Sequence, residues 1–310
     1  MSVLKDISED IRNTESDKDK RCAPNAIFKD GSCMTLTHLI KMAEAYNKKH
    51  PEHKIELNTK LETLNPDKYK SYLVDKFETR LSDVCDDQRC WLKQDFIKEI
   101  QDEVLKEDLL TKTFRPEGPN GKFTWLNTLD IDKVMSQYED KHKDFKWLGA
   151  VPMDFDDIPS LNISNLDFND LKKNKKTKLG IIFNLDTSNQ PGSHWVAGYV
   201  DLNNKQVYYF DSYAVEPEPR VRKFMRRCAK ACENCGSING GEDNKNKNKN
   251  KNNNLDVRFN KHRHQYKNSE CGVYSLTFII KLLEGATFDD FTQSKIPDEV
   301  INKYRQIYFA

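Results

Sequence analysis

The segment HRHQYKNSECGVYSL, residues 262–276, passes from a polar loop directly into an apolar run that continues to Leu283. In a chain of which 32% of the residues are charged, a run of that kind has to be buried, and its length fits one helix over about 271–284. Two polar residues stand at its mouth, Gln265 and, six positions later, Cys271. A cysteine that opens a buried helix faces free backbone N–H groups and the positive end of the helix dipole, both of which favour the thiolate. Thiol chemistry is therefore the first hypothesis for the chain, and it requires a base.

The patterning upstream supplies candidates. Alternating or continuous apolar runs predict strands at 179–185, 194–202, 206–212 and 255–260, the second and third joined by the Asn-rich hairpin connection DLNNKQ. Helical spacing covers 124–142 and 217–233, so this region reads as an α+β domain. The first third is different: helices are expected at 34–49, 67–82 and 91–110, and the Pro- and Gly-rich stretch FRPEGPNG at 114–121 marks a linker. The chain thus divides into a helical N-terminal subdomain, 1–113, and a main domain, 114–310. Residues 1–20 are polar enough to form a loose arm, and GGEDNKNKNKNKNNN at 240–254 has no apolar residue and is expected to be a disordered surface loop.

Composition narrows the function classes. A net charge of +1 over 310 residues commits the molecule neither to a membrane surface nor to nucleic acid, so nucleic-acid binding stays possible without being indicated. There is no uninterrupted apolar run of 18 residues and no apolar core in the first 21, which points to a soluble protein inside the cell with no secretion signal. The eight cysteines are accordingly expected to be reduced thiols.

Four polar residues lie at the ends of predicted elements: His194 starts a strand, Asp211 ends its hairpin partner, Gln265 precedes the last helix and Cys271 opens it. A hairpin can bring the first residue of one strand beside the last of the other. His194 then takes the proton from Cys271, Asp211 holds the imidazole tautomer, and Gln265 with the Cys271 backbone N–H forms an oxyanion hole. This order, with GSHWVAGYVDL, VYYFDS, HRHQYKNSECGVYSL and, upstream, WLNTLDIDKVMSQY and PMDFDD, resembles the adenovirus-protease and SUMO-protease clan of cysteine peptidases. It looks most like the polyprotein-processing thiol proteases of large DNA viruses, such as that of African swine fever virus. The resemblance spans about 114–310; over 1–113 only the helical character matches.

The resemblance implies a papain-like, circularly permuted core, no cofactor and no metal. It also implies cleavage after glycine, with His194, Asp211, Cys271 and Gln265 catalytic and Trp195 in the wall of the substrate cleft. The African swine fever enzyme carries asparagine where this chain has Asp211. The implied substrates are viral structural precursors cut during virion maturation, in the virion and in the host cytoplasm; the alternative is an isopeptidase acting on SUMO- or ubiquitin-like conjugates. An acyltransferase or a non-catalytic interaction module would reuse the same fold. Cys228, Cys232 and Cys235, with His262 or His264, have the residue types of a zinc site, yet Val221, Met225 and these cysteines fall on one helical stripe and read as buried hydrophobes. The opposite face carries Arg220, Arg222, Lys223, Arg226, Arg227 and Lys230, a solvated face that could also dock an acidic partner.

Overall fold

The computed structural model describes residues 18–119, 124–233 and 254–310. The loop at 240–254, apart from its last residue, Cys235 and most of the N-terminal arm lie outside these residues. The described residues form two compact units, one from Pro119 to Arg305 and one that comprises 18–118 together with Gln306–Ala310.

The N-terminal unit is built on α1 (Leu36–Lys49), α2 (Thr59–Leu64), α3 (Pro66–Leu81), α4 (Gln88–Trp91) and α5 (Glu103–Lys112). Thr35 and His38 cap α1 reciprocally, and Asn65 with Pro66 at the first position starts α3. Tyr46, Phe77 and Phe96 meet as edge-on and stacked rings at the centre of its core. The helix expected over 91–110 is instead broken. Phe96 and Ile97 lie buried in a 3-10 turn, Ile100 is extended at φ −68°, ψ 115°, and Asp102 accepts from the Leu105 N–H to begin α5 anew. A carboxylate able to cap competes locally with helix continuation and wins.

The cysteine expectation is also corrected here. Cys22–Cys33 and Cys85–Cys90 are disulfides, each with its Cα atoms 5.4 Å apart. The residues between Cys22 and Cys33 fold back through the Lys29↔Ser32 bridge, and the backbone turns at Leu81 toward Cys85, so sequence-near thiols become neighbours in space.

The second unit is an α+β sandwich. After α6 (Thr128–Lys141) come β1 (Phe145–Val151), α7 (Phe168–Lys173), β2 (Lys178–Asn184), β3 (Trp195–Asp201) and β4 (Gln206–Phe210). They are followed by α8 (Pro219–Glu233), β5 (Asp256–Phe259), α9 (Cys271–Leu283), α10 (Phe288–Thr292) and α11 (Asp298–Lys303). The sheet order is β1-β2-β3-β4-β5, with β1 parallel to β2, β4 parallel to β5, and antiparallel pairs between. β1 is absent from the sequence reading: FKWLGAV is short and follows α6 after only three residues, so it reads as a continuation of the helical stretch. One sheet face packs against α8, where Val221, Phe224, Cys228 and Cys232 join Val207 and Tyr209. On the other side α9 lies against β3, and every residue of α9 is buried, as an all-round apolar helix requires. That central helix is what fixes Cys271 in place.

Candidate active site

Cys271 is the first residue of α9 and 4% exposed; Gly272 behind it gives room to the Leu126 side chain, which a Cβ would meet at 3.1 Å. His194 immediately precedes β3, and its Nε2 donates to Asp211 Oδ1 at 2.6 Å. Nε2 being taken, Nδ1 is the nitrogen left for sulfur, and the Cys271 side chain is near enough to favour the charged imidazole. Burial disfavours the imidazolium, but the bond to Asp211, the nearby Cys271 and the negative charges of both outweigh it and push the His194 pKa up to about 9. Carboxylate, imidazole and thiol are thus linked, the first two by a bond and the third through its effect on the imidazole charge.

Asp211 is held more tightly than a strand end needs. Its Oδ1 also accepts from the Tyr213 N–H at 2.9 Å and its Oδ2 from the Val215 N–H at 3.2 Å. Asn260, just past β5, accepts from the Asp211 N–H at 2.9 Å and donates to the Asp211 carbonyl at 2.7 Å. The register gives a reason. The β3–β4 ladder ends at Ala197↔Phe210, and extending it sets His194 across from Tyr213, so Asp211 reaches the imidazole only diagonally and by a turn.

Gln265 is fully buried: its Oε1 accepts from Ser212 Oγ at 2.7 Å, and its Nε2 donates to the Lys267 carbonyl at 2.6 Å and to Tyr213 Oη at 3.3 Å. The loop that carries it is pinned by Asp298 of α11, whose Oδ2 accepts from the Tyr266 and Lys267 N–H groups at 2.9 and 3.0 Å. Next to Cys271, buried Glu270 accepts from Asn302 at 2.8 Å and pairs with Arg305 at 3.3 Å. Asn260, Tyr213, Asp298 and Glu270 all escape the sequence reading. Tyr213 is within reach by counting the hairpin register, Asn260 ends a predicted strand and Glu270 adjoins Cys271, but their partners, like those of Asp298, are distant in sequence.

A cleft of about 420 Å³ opens beside His194, walled by Trp125, Leu126, Pro152, Gln190 and Trp195. Trp195 is 6% exposed and its Nε1 donates to the Leu126 carbonyl at 2.9 Å, while Trp125 is 47% exposed in the wall.

Three comparisons bear on this arrangement. The family described as Ulp1 protease family, C-terminal catalytic domain, matches residues 164–310. A thiol protease of Acanthamoeba polyphaga mimivirus is 33% identical over 295 residues, which span 93% of this chain and 92% of the relative. The chain belongs to the Ulp1 protease family. A cysteine protease of African swine fever virus is 24% identical over 243 residues, covering 73% of this chain and 83% of that protein. The crystal structure of the African swine fever virus protease has the same fold, with a TM-score of 0.59 and 21% identity over 84% of this chain and 94% of that one. This Ulp1-family cysteine protease therefore shares its fold with a viral enzyme along most of both chains.

The remaining sequence candidates are accounted for by packing. Cys228 and Cys232 are enclosed in the α8 layer, where burial drives the Cys228 thiol pKa far up, and His264 stacks among Phe210, Tyr274 and Phe291. On the basic face of α8, Arg220 pairs with Asp156 and Asp157, Arg222 with Glu216, and Arg227 donates to the carbonyls of Ile163, Ser164 and Leu166. No helix among the described residues is long and apolar enough to cross a membrane.

Proposed function

We propose that the protein is a thiol endopeptidase that cuts after glycine, at Gly-Gly-X-like sites, in viral structural precursors during virion maturation, acting in the virion and the host cytoplasm. The reading rests on one observation above the rest: His194 is bonded to Asp211 at 2.6 Å, and the buried thiol that opens a helix acts on the charge of the same imidazole. Cys271 attacks the scissile carbonyl carbon as thiolate, and the His194 imidazolium gives its proton to the leaving amine. The resulting thioester is opened by a water that His194 deprotonates. Gln265 and the Cys271 N–H stabilise the oxyanion at both tetrahedral stages. A cleft walled by two tryptophans favours residues lacking a Cβ beside the scissile bond.

The test is turnover of a Gly-Gly-X peptide: Cys271→Ala abolishes it and stays folded, whereas Cys228→Ala, buried in the α8 layer, acts through packing alone. Activity near wild type in Cys271→Ala would remove the nucleophile assignment. A second reading, an isopeptidase on SUMO- or ubiquitin-like conjugates, is favoured by the family itself and by an African swine fever virus relative that bears the name SUMO-1 cysteine protease. Cleavage of a SUMO or ubiquitin fusion in preference to a precursor with Gly-Gly-X sites selects it.

A further inference from the structure

Tyr213 touches every group of the proposed site except the sulfur. Its backbone N–H donates to Asp211 Oδ1 at 2.9 Å, its ring stacks on the His194 imidazole with centroids 4.6 Å apart and 21° between planes, and its hydroxyl accepts from Gln265 Nε2 at 3.3 Å. The hydroxyl also donates to the Lys267 carbonyl at 3.2 Å, the same carbonyl that takes the other Gln265 amide hydrogen at 2.6 Å. The backbone is bent to allow this. Ala214 sits in the left-handed region at φ 61°, its N–H on the Asp211 carbonyl at 2.8 Å, and that turn brings the Val215 N–H onto Asp211 Oδ2. A non-glycine residue held there costs free energy that the surrounding contacts have to offset, which marks the turn as specified. Above the ring, the Arg263 guanidinium lies 4.8 Å from its centroid and fixes the stack further.

We propose that Tyr213 is a positioning residue with two separable roles: its ring holds the plane of the His194 imidazole between Asp211 and Cys271, and its hydroxyl holds the Gln265 amide until the reacting carbonyl oxygen replaces it. The inference rests on the assignment of His194, Gln265 and Cys271 made above. Both Gln265 amide hydrogens are bonded in the free enzyme, so an oxyanion has to displace one partner. The bond to Tyr213 is the long one, 3.3 Å against 2.6 Å to Lys267, and is the one that yields. After the exchange Tyr213 keeps its bond to Lys267 and Gln265 keeps Ser212, so the donor stays aimed while its hydrogen changes acceptor. The ring role is of a different kind. Stacking limits rotation of the imidazole and keeps water from the His194–Asp211 bond, which sets how well the thiolate forms.

The two roles predict different damage. Tyr213→Phe keeps the ring and removes the hydroxyl; Tyr213→Leu removes both. With a peptidyl-Gly-Gly-aminomethylcoumarin as substrate and iodoacetamide alkylation of Cys271, followed by mass spectrometry, as a readout independent of turnover, Tyr213→Phe should lower kcat by roughly three- to tenfold with alkylation unchanged within about twofold. Tyr213→Leu should slow alkylation by about tenfold or more and lower kcat further, with KM moving less than about twofold in either variant. Thermal melts establish that the variants are folded; should Tyr213→Leu fail to fold, Tyr213→Met removes the ring at similar bulk. Alkylation slowed equally in the Phe and ring-less variants, or in neither, overturns the proposal, as does a loss carried wholly by KM. Cys271→Ala separates the two levels: if it retains turnover, or if iodoacetamide labels another thiol at the rate of inactivation, the site assignment is wrong, whatever the Tyr213 variants do.

Discussion

At the scale of single residues the site is defined by which hydrogen-bond roles are already taken. Asp211 accepts three N–H groups through two oxygens, from His194, Tyr213 and Val215. Asp211→Asn can keep the amide oxygen toward His194 and Tyr213, since both are donors. Its NH2 then faces the Val215 N–H, where the bond replaced is the longest of the three at 3.2 Å. The tautomer of the imidazole survives, and the charge beside it does not. We expect kcat/KM to fall by about 10- to 100-fold in Asp211→Asn and by more than about 1,000-fold in His194→Ala. Equal losses would contradict an orienting role. Trp195 invites a second residue-scale test, because its indole both lines the cleft and holds the Leu126 carbonyl, and Leu126 packs on Gly272. Trp195→Ala should narrow the ratio of kcat/KM between Gly-Gly-X and Ala-Ala-X peptides while lowering both; an unchanged ratio accompanied by a lower melting temperature would make Trp195 a packing residue only.

Elements differ in how much of them the sequence discloses, and the reason is where their specification resides. α9 is legible to within a residue because its apolar run, the preceding polar loop and its cysteine are all local, and β3 and β4 follow from two continuous apolar runs on either side of a short Asn-rich turn. β1 is not legible, since the parallel partner that makes it a strand, β2, lies beyond an intervening helix. The break at Ile100 and the two disulfides belong to the N-terminal unit, where the spacing of apolar residues fits a continuous helix as well as a turn followed by a fresh start. The disulfides lead to a prediction at this scale. Closing loops of 11 and 5 residues removes entropy from the unfolded chain equivalent to about 2–3 kcal/mol per bridge. Dithiothreitol, or the pair Cys22→Ser and Cys33→Ser, should therefore lower the stability of the N-terminal unit. The free thiols Cys228 and Cys232 lie outside that unit and owe nothing to a bridge. A melting curve indifferent to reductant would show that the bridges do not contribute.

For the molecule as a whole, the two buried histidines of the catalytic unit impose opposite pH dependences on its stability. His264 is enclosed by Phe210, Tyr274 and Phe291, accepts the Ile296 N–H at its Nδ1, and burial pushes its pKa down to about 4 from an ordinary 6.5. The folded state thus prefers neutral imidazole, so the contribution of His264 is complete above about pH 6.5 and is lost as pH falls toward 4, by an amount on the order of 3 kcal/mol. His194 runs the other way. Despite burial, Asp211 and Cys271 raise it to about 9, so its contribution is complete below about pH 6.5 and fades as pH rises through 9. Denaturant unfolding of wild type, His264→Phe and His194→Ala at several pH values, read as the difference between wild type and each variant, isolates the His264 contribution and that of the His194–Asp211 pair. Phenylalanine at 264 loses the bond to Ile296, a cost constant with pH, so only the slope of the difference is read. The stability advantage of wild type over His264→Phe should shrink from pH 6.5 to 4, and its advantage over His194→Ala should shrink from pH 6.5 to 9. Parallel stability curves for wild type and His264→Phe would mean that the ring cluster accommodates the imidazolium, and parallel curves for His194→Ala that the imidazole is not charged in the folded protein.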